Sequence, residues 1–241
     1  MGPLLEVHDL TLRRDDGTGS AILNDFNLQV EDGEVVILKG PSGCGKTTLL
    51  KCIAELNVYQ QGEILLEGKK STSYGIPNYR TLVQYVPQRP SLLPGTPLQF
   101  LERLQSFASR KVRAAELDGK VNKGPTPFEL ADEWDIDRVL WTRDWGTLSG
   151  GESQRIAMAV AVGMGGAEVL LLDEPTSALD EVSTKKVERT LLSMLPPAPR
   201  GASAGSDIPR RGNGPKALIW ITHSPEQSER VGTRVVDFSH L

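Results

Sequence analysis

The stretch Gly40-Pro41-Ser42-Gly43-Cys44-Gly45-Lys46-Thr47 constrains this 241-residue chain more than any other. It follows the apolar run Val35-Val36-Ile37-Leu38, which reads as a buried strand. It precedes Thr48-Leu49-Leu50-Lys51-Cys52-Ile53, which reads as the start of a helix. Strand, glycine-rich loop and helix in that order fit the phosphate-binding pattern G-x-x-x-x-G-K-[ST]. Glycines let the backbone turn tightly enough for its N–H groups to converge on phosphate oxygens, and the helix adds the positive end of its dipole. In that pattern Lys46 reaches the β- and γ-phosphates, and the Thr47 hydroxyl ligates Mg²⁺. The chain is expected to bind a nucleoside triphosphate.

A second apolar run, Val169-Leu170-Leu171-Leu172, ends in Asp173-Glu174-Pro175, 127 residues beyond Lys46. Such a run suits a parallel strand buried on both faces. Its two carboxylates then stand at a C-terminal strand end, where open α/β sheets bind ligands. Asp173 is expected to hold Mg²⁺ through water. Glu174, on the opposite side of the strand, is expected to polarise an attacking water.

Between these anchors lies Leu148-Ser149-Gly150-Gly151-Glu152-Ser153-Gln154-Arg155, running on into Ile156-Ala157-Met158-Ala159. A serine and two glycines at a helix N-terminus make a second anion site. With Ser177-Ala178-Leu179-Asp180 downstream, the motifs stand in the order of one family. Over nearly its whole length the chain resembles the ATP-binding subunit of ATP-binding cassette (ABC) proteins. The resemblance implies an α/β P-loop NTPase with a mixed central sheet, an N-terminal antiparallel β subdomain and an inserted helical signature subdomain.

It also implies roles for individual residues. Gly40 through Thr48 bind phosphate, including Pro41, Ser42, Gly43, Cys44, Gly45 and Thr48. Gln88, after Tyr85-Val86-Pro87, senses Mg²⁺ and the γ-phosphate, and His223, after Ala217-Leu218-Ile219-Trp220-Ile221-Thr222, contacts the γ-phosphate. Lys46, Gln88, Glu174 and His223 form the catalytic set; Thr47, Gln88 and Asp173 form the metal set. Asp180 closes the loop through which two subunits communicate. Ser149, Gly150 and Gly151 bind the nucleotide of a partner chain, so the resemblance implies a head-to-tail homodimer around two ATP-Mg. It further implies a separate transmembrane permease, whose coupling helix meets the segment Arg89-Pro90-Ser91-Leu92-Leu93-Pro94-Gly95-Thr96. The family's adenine-stacking aromatic has no counterpart in Leu10-Thr11-Leu12-Arg13-Arg14-Asp15-Asp16. Either arginine could stack its guanidinium on the base instead. The rival readings are a soluble ABC ATPase and a regulatory or assembly subunit. The 102 residues between Lys46 and Ser149 leave no room for the long coiled coil of chromosome-type members.

Composition narrows the partners. With 27 basic and 31 acidic side chains the net charge is −4, against the basic excess usual in nucleic-acid binders, so no nucleic-acid partner is expected. No run approaches the ~18 apolar residues of a membrane span. Met1-Gly2-Pro3-Leu4-Leu5-Glu6 lacks the basic and apolar regions of a signal peptide. The expected location is cytoplasmic, peripheral on the cytosolic face of a membrane. Cys44 and Cys52 lie roughly 12 Å apart along a loop and helix, too far for a disulfide. Cys44, beside Lys46 and a helix N-terminus, is expected to be a reactive thiol whose modification blocks nucleotide binding. Cys52 is expected in the core.

The chain reads as one ABC ATPase domain, residues 1–241, with a helical subdomain over about 89–147. Gly17-Thr18-Gly19-Ser20 is expected at a hairpin tip, and Gln60-Gln61-Gly62-Glu63 in a turn before the strand Ile64-Leu65-Leu66. Helical spacing marks Phe100–Phe107 and Phe128–Ala131. Residues 196–216, rich in Pro, Gly and Ser, lack apolar periodicity and are expected to form a flexible surface insertion without a role in the site.

Overall fold

The computed structural model describes residues 2–14, 19–89, 94–117, 124–197 and 208–240. The chain opens with the long strands β1 (Leu5–Arg13) and β2 (Ala21–Val30). The short strand β3 (Val35–Lys39) feeds the glycine-rich loop and helix α1 (Lys46–Ile53). Strands β4 (Gln61–Leu66) and β5 (Lys69–Lys70) follow, then helices α2 (Ser71–Tyr74) and α3 (Ile76–Leu82) and strand β6 (Val83–Val86). Helices α4 (Pro97–Ser106), α5 (Ala108–Leu117) and α6 (Pro127–Glu133) lead through two short 3₁₀ turns to α7 (Gly150–Gly163). The last elements are β7 (Val169–Asp173), α8 (Glu181–Met194), β8 (Ala217–Ile221), α9 (Pro225–Val231) and β9 (Arg234–Asp237).

The strands form two sheets of opposite kind. One is antiparallel, in the order β2-β1-β4-β5; the other is parallel, in the order β6-β7-β8-β3-β9. The mixed character implied by the resemblance is thus divided between two sheets. In the parallel sheet, β3, β7 and β8 are apolar at nearly every position because both faces are covered. Side chains alternate across a strand, and the core splits accordingly. Val36 and Leu38, with Leu171 and Ile219, face α1 and the antiparallel sheet. Val35 and Ile37, with Leu170, Leu172 and Trp220, face α6, α7 and α8.

Several local expectations change. Gln60–Glu63 is not a turn: β4 already begins at Gln61, which pairs with Thr11, while Glu63 pairs with His8. Gly62, at φ +96°, makes this fit, since a Cβ there would lie 2.4 Å from the His8 carbonyl oxygen. Helix α4 covers the predicted Phe100 region, starting from a capping box in which the Thr96 hydroxyl accepts from the Gln99 N–H. Helix α6 starts the same way at Thr126 and covers Phe128–Ala131. Of the 196–216 stretch, residues 198–207 lie outside the described residues, and the part beyond them is held rather than free. The N–H groups of Arg211, Gly212 and Gly214 donate to the carbonyls of Ser193, Leu195 and Met194. Arg210 Nη1 donates to the carbonyl oxygens of Gly33 and Pro196. A segment without apolar periodicity is here fixed by backbone pairing, which composition does not report.

Glycine also sets how the helical region meets the sheet. Gly163, at the end of α7, passes α6 so closely that a Cβ would sit 2.3 Å from the Pro127 nitrogen. Helix propensity favours alanine there by about 1 kcal/mol, while forcing a carbon into a packed contact costs about 1–3 kcal/mol. Crowding wins, so Gly163→Ala should lower the melting temperature by several degrees; a rise in a thermal unfolding scan would refute the close approach.

Candidate functional site

Strands running parallel end on one edge. The C-termini of β3, β6, β7 and β8 therefore deliver Gly40–Thr48, Gln88, Asp173–Glu174 and His223 to the same side of the sheet. Register makes the alignment tight: Ile221 pairs with both Leu38 and Asp173, and Val86 with Leu172.

The loop after β3 has left-handed or otherwise positive φ at Gly40 (+147°), Gly43 (+80°) and Gly45 (+101°). At Gly45 a side chain is doubly excluded, because a Cβ would lie 2.3 Å from Ile22 Cγ2 on β2. Helix α1 starts at Lys46 with no side chain capping it, so its first N–H groups stay open toward the loop. Pro41, Ser42 and Gly43 are exposed; Thr47 and Thr48 are half-buried in the first turn. Lys46 is only 5% exposed, and its Nζ donates to the carbonyl oxygens of Gly40 and Pro41, 2.8 Å from each. Cys44 Sγ lies 3.6 Å from the same ammonium.

Opposite the loop, the Thr47 hydroxyl donates to Asp173 Oδ1 at 3.1 Å, and the Tyr85 hydroxyl donates to Oδ2 at 2.8 Å. Burial, reinforced by that hydrogen bond, pushes the Tyr85 phenol well above its ordinary pKa. Glu174 stands just past the end of β7 at φ +46°, a left-handed conformation that costs a non-glycine residue about 1–2 kcal/mol. Its N–H donates to Ile221 O. This turn, rather than strand alternation, sends its side chain away from Asp173. Gln88 Nε2 donates to Glu174 Oε2 at 2.7 Å, and His223 Nε2 lies 3.0 Å from Oε1. Glu174, Gln88 and His223 thus form one cluster, and the Thr47–Asp173 pair with Lys46 forms the other.

Ser149 caps α7, its hydroxyl accepting from the Glu152 N–H while Glu152 reaches back to the Ser149 N–H. The same bonds hold the Glu152 carboxyl below the usual carboxylate range. Asp180 caps α8 through Ser183, and that bond lowers its carboxyl pKa. Among the described residues no hydrogen bond or ion pair joins Ser149, Gly150, Gly151 or Asp180 to the Gly40–Thr48 loop. The resemblance assigns Ser149–Gly151 to the nucleotide of a partner chain, and within one chain they stand apart from the loop. Of these, Gly150 lines an open groove of about 590 Å³ shared with Gln88, Trp145, Ser177 and Ala178.

Two residues without a role in the sequence analysis are central to this geometry. Gln154, 4% exposed, donates through Nε2 to the carbonyls of Gln88 and Glu174 and accepts through Oε1 from the Ala178 N–H. It lies within the quoted Leu148–Arg155 motif, but only the fold brings those three partners to it. Tyr85 is the second. Beyond them, Glu188 of α8 accepts from Arg230 and from Gln227 of α9, and Gln227 also donates to the Thr176 hydroxyl. This buried network fixes the helix that follows His223 against the segment that follows Glu174.

Of the base-stacking candidates, Arg13 and Arg14 are both exposed, and Asp15 and Asp16 lie outside the described residues. Pro90–Leu93, in the expected coupling segment, also lie outside them, as do Gly17 and Thr18 of the expected hairpin tip.

Sheet order, glycine-rich loop and paired carboxylates together define a P-loop NTPase of α/β type. The family can be given as well: residues 23–177 match the model described as ABC transporter, and the chain belongs to that family. It is 31% identical to protein STAR1 of rice (Oryza sativa subsp. japonica) over 97% of this chain and 60% of that protein. It is 35% identical to a phosphate import ATP-binding protein of Vibrio cholerae over 92% of this chain and 75% of that one. The chain thus spans about 60% of the rice relative's length. Among solved structures it is similar to a dimeric ATP-binding cassette in a post-hydrolysis state bound to ADP and Pi. There the TM-score is 0.70 at 23% identity, covering 97% of this chain and 93% of that one. Among the described residues no helix is long and apolar enough to cross a membrane.

The two thiols differ sharply. Cys52 is buried, and desolvation with the nearby Glu55 carboxylate pushes its thiol up to about 12; Cys44 is half-exposed in the loop. A maleimide should label the native chain once, at Cys44, and twice in denaturant. Mass spectrometry that finds Cys52 labelled in the native chain would contradict this burial.

Proposed function

We propose that this chain is the ATP-binding and ATP-hydrolysing subunit of an ABC transporter, acting as a single cassette with a helical subdomain over about 89–147. The observation that carries the reading is the placement of Glu174. Its carboxylate sits between Gln88 Nε2 and His223 Nε2, on the sheet edge that also bears Lys46 and the Thr47–Asp173 pair. In this reading the open N–H groups of the Gly40–Thr48 loop and of α1 hold the triphosphate. Lys46 exchanges the carbonyls of Gly40 and Pro41 for β- and γ-phosphate oxygens, a stronger charge-assisted pairing.

The donors beside the loop are hydroxyl and carboxylate oxygens, the kind a hard cation such as Mg²⁺ takes while keeping several waters. They fit that ion, with Thr47, Asp173 and Gln88 as the residues around it. When bound, it would neutralise charge on the transferred phosphoryl group. Glu174 accepts a hydrogen bond from the attacking water, which displaces ADP as the β–γ bond breaks, and His223 and Gln88 orient that carboxylate. Water supplies the oxygen of the released phosphate.

Because Ser149, Gly150 and Gly151 stand apart from the loop of their own chain, they serve the nucleotide of a second copy. Two chains pair head-to-tail, with Ser177–Asp180 at the interface. Relatives named for phosphate import support a place beside a separate permease, on the cytosolic face of a membrane. No role on nucleic acid is assigned.

Glu174→Gln keeps the hydrogen-bonding shape and removes the negative charge. Hydrolysis measured at rising protein concentration should climb in specific activity for the wild type and fall at least a hundredfold in the variant. The variant should also elute as an ATP-dependent dimer. Equal hydrolysis by both chains would rule Glu174 out, and an ATP-bound chain that never dimerises or hydrolyses would favour a regulatory subunit.

A further inference from the structure

Asp173 is 5% exposed, and its two oxygens face two different elements. Oδ1 accepts from Thr47 on α1, and Oδ2 accepts from Tyr85 on β6, the shorter bond of the two at 2.8 Å against 3.1 Å. The Tyr85 ring packs against the core cluster beneath α1, so a phenylalanine would fill the same space. Only the hydroxyl reaches across to the neighbouring strand. We propose, resting on the nucleotide-binding reading above, that Tyr85 is a positioning residue for the metal side of the site. Its hydroxyl pins Oδ2 and so keeps Oδ1 turned toward Thr47, the other residue that would hold the cation.

The physical need follows from the carboxylate itself. The last torsion of an aspartate joins a tetrahedral to a planar carbon, and its preference is broad and roughly two-fold. Left alone, the carboxylate turns either edge toward the loop. The Thr47 hydroxyl, which would meet the cation through an oxygen lone pair, holds only the Oδ1 edge through its proton and leaves Oδ2 to another donor. Tyr85 stands on the far side, on a strand paired with β7 from Val83 to Val86, and keeps its grip whether or not the loop is occupied. Among the described residues its hydroxyl makes no hydrogen bond to the Gly40–Thr48 loop or to Glu174, so its polar influence runs through Asp173.

Tyr85→Phe in the full chain isolates the hydroxyl. Binding of a fluorescent ATP analogue is titrated with Mg²⁺ and, separately, measured in EDTA. Groups that orient a metal ligand typically change metal affinity about tenfold or more when removed. The half-saturating Mg²⁺ concentration should therefore rise about tenfold in the variant, with the EDTA affinity and melting temperature unchanged. In an Asp173→Asn background, Tyr85→Phe should add nothing. An unchanged Mg²⁺ requirement, an equal loss in EDTA, or additivity with Asp173→Asn overturns the inference. A wild-type chain that binds no analogue in either buffer overturns the functional reading and this inference with it. Wild-type binding matched in every respect by Tyr85→Phe overturns the inference alone.

Discussion

The parallel ladder from β6 to β3 is the constraint on which everything else depends. Parallel neighbours must each return by a crossover, so every strand of the ladder ends on the same edge. Groups far apart in the chain, Lys46, Gln88, Asp173 and His223, meet there without any need to be near in sequence. The ladder is held by apolar strands buried on both faces, and no loop could set this geometry alone. Register is tightly specified here, because a one-residue slip in β7 would carry Leu171 to the wrong core and Asp173 out of reach of Thr47.

The two sheet faces explain the division of labour among the helices. One face receives α1 and the antiparallel sheet, and with them the phosphate loop. The other receives α6, α7 and α8, and with them Ser149–Gly151 and Asp180. The strands themselves are the wall between these layers. Gln154 reaches the open edge of this wall, where its side chain meets backbone groups of Gln88, Glu174 and Ala178 that no strand satisfies.

Much of this was legible in the residues. The apolar runs at 35–38 and 169–172, the glycine spacing of the loop and the order of the motifs suffice to place the strands, α1, α7 and the main site groups. What could not be read depends on contacts between elements. Gly62 looks like a turn signal, yet its missing Cβ serves a strand pairing with β1. The segment after residue 207 has the composition of a free loop, yet its amides close onto the end of α8. Tyr85 and Gln154 sit inside recognisable motifs, but their partners lie on other strands and loops. The left-handed backbone at Glu174, just past the end of β7, likewise has no signal in the sequence.

The lysine of the phosphate loop has a kinetic corollary. Its ammonium already bridges two carbonyls of the loop, so the nest of N–H groups is preorganised before any nucleotide arrives. A triphosphate entering such a cradle trades one set of ligands on the ammonium for another and need not wait for a chain search. Capture should then be governed by diffusional encounter and charge, and the lifetime of the complex by how readily those two carbonyls reclaim their cation.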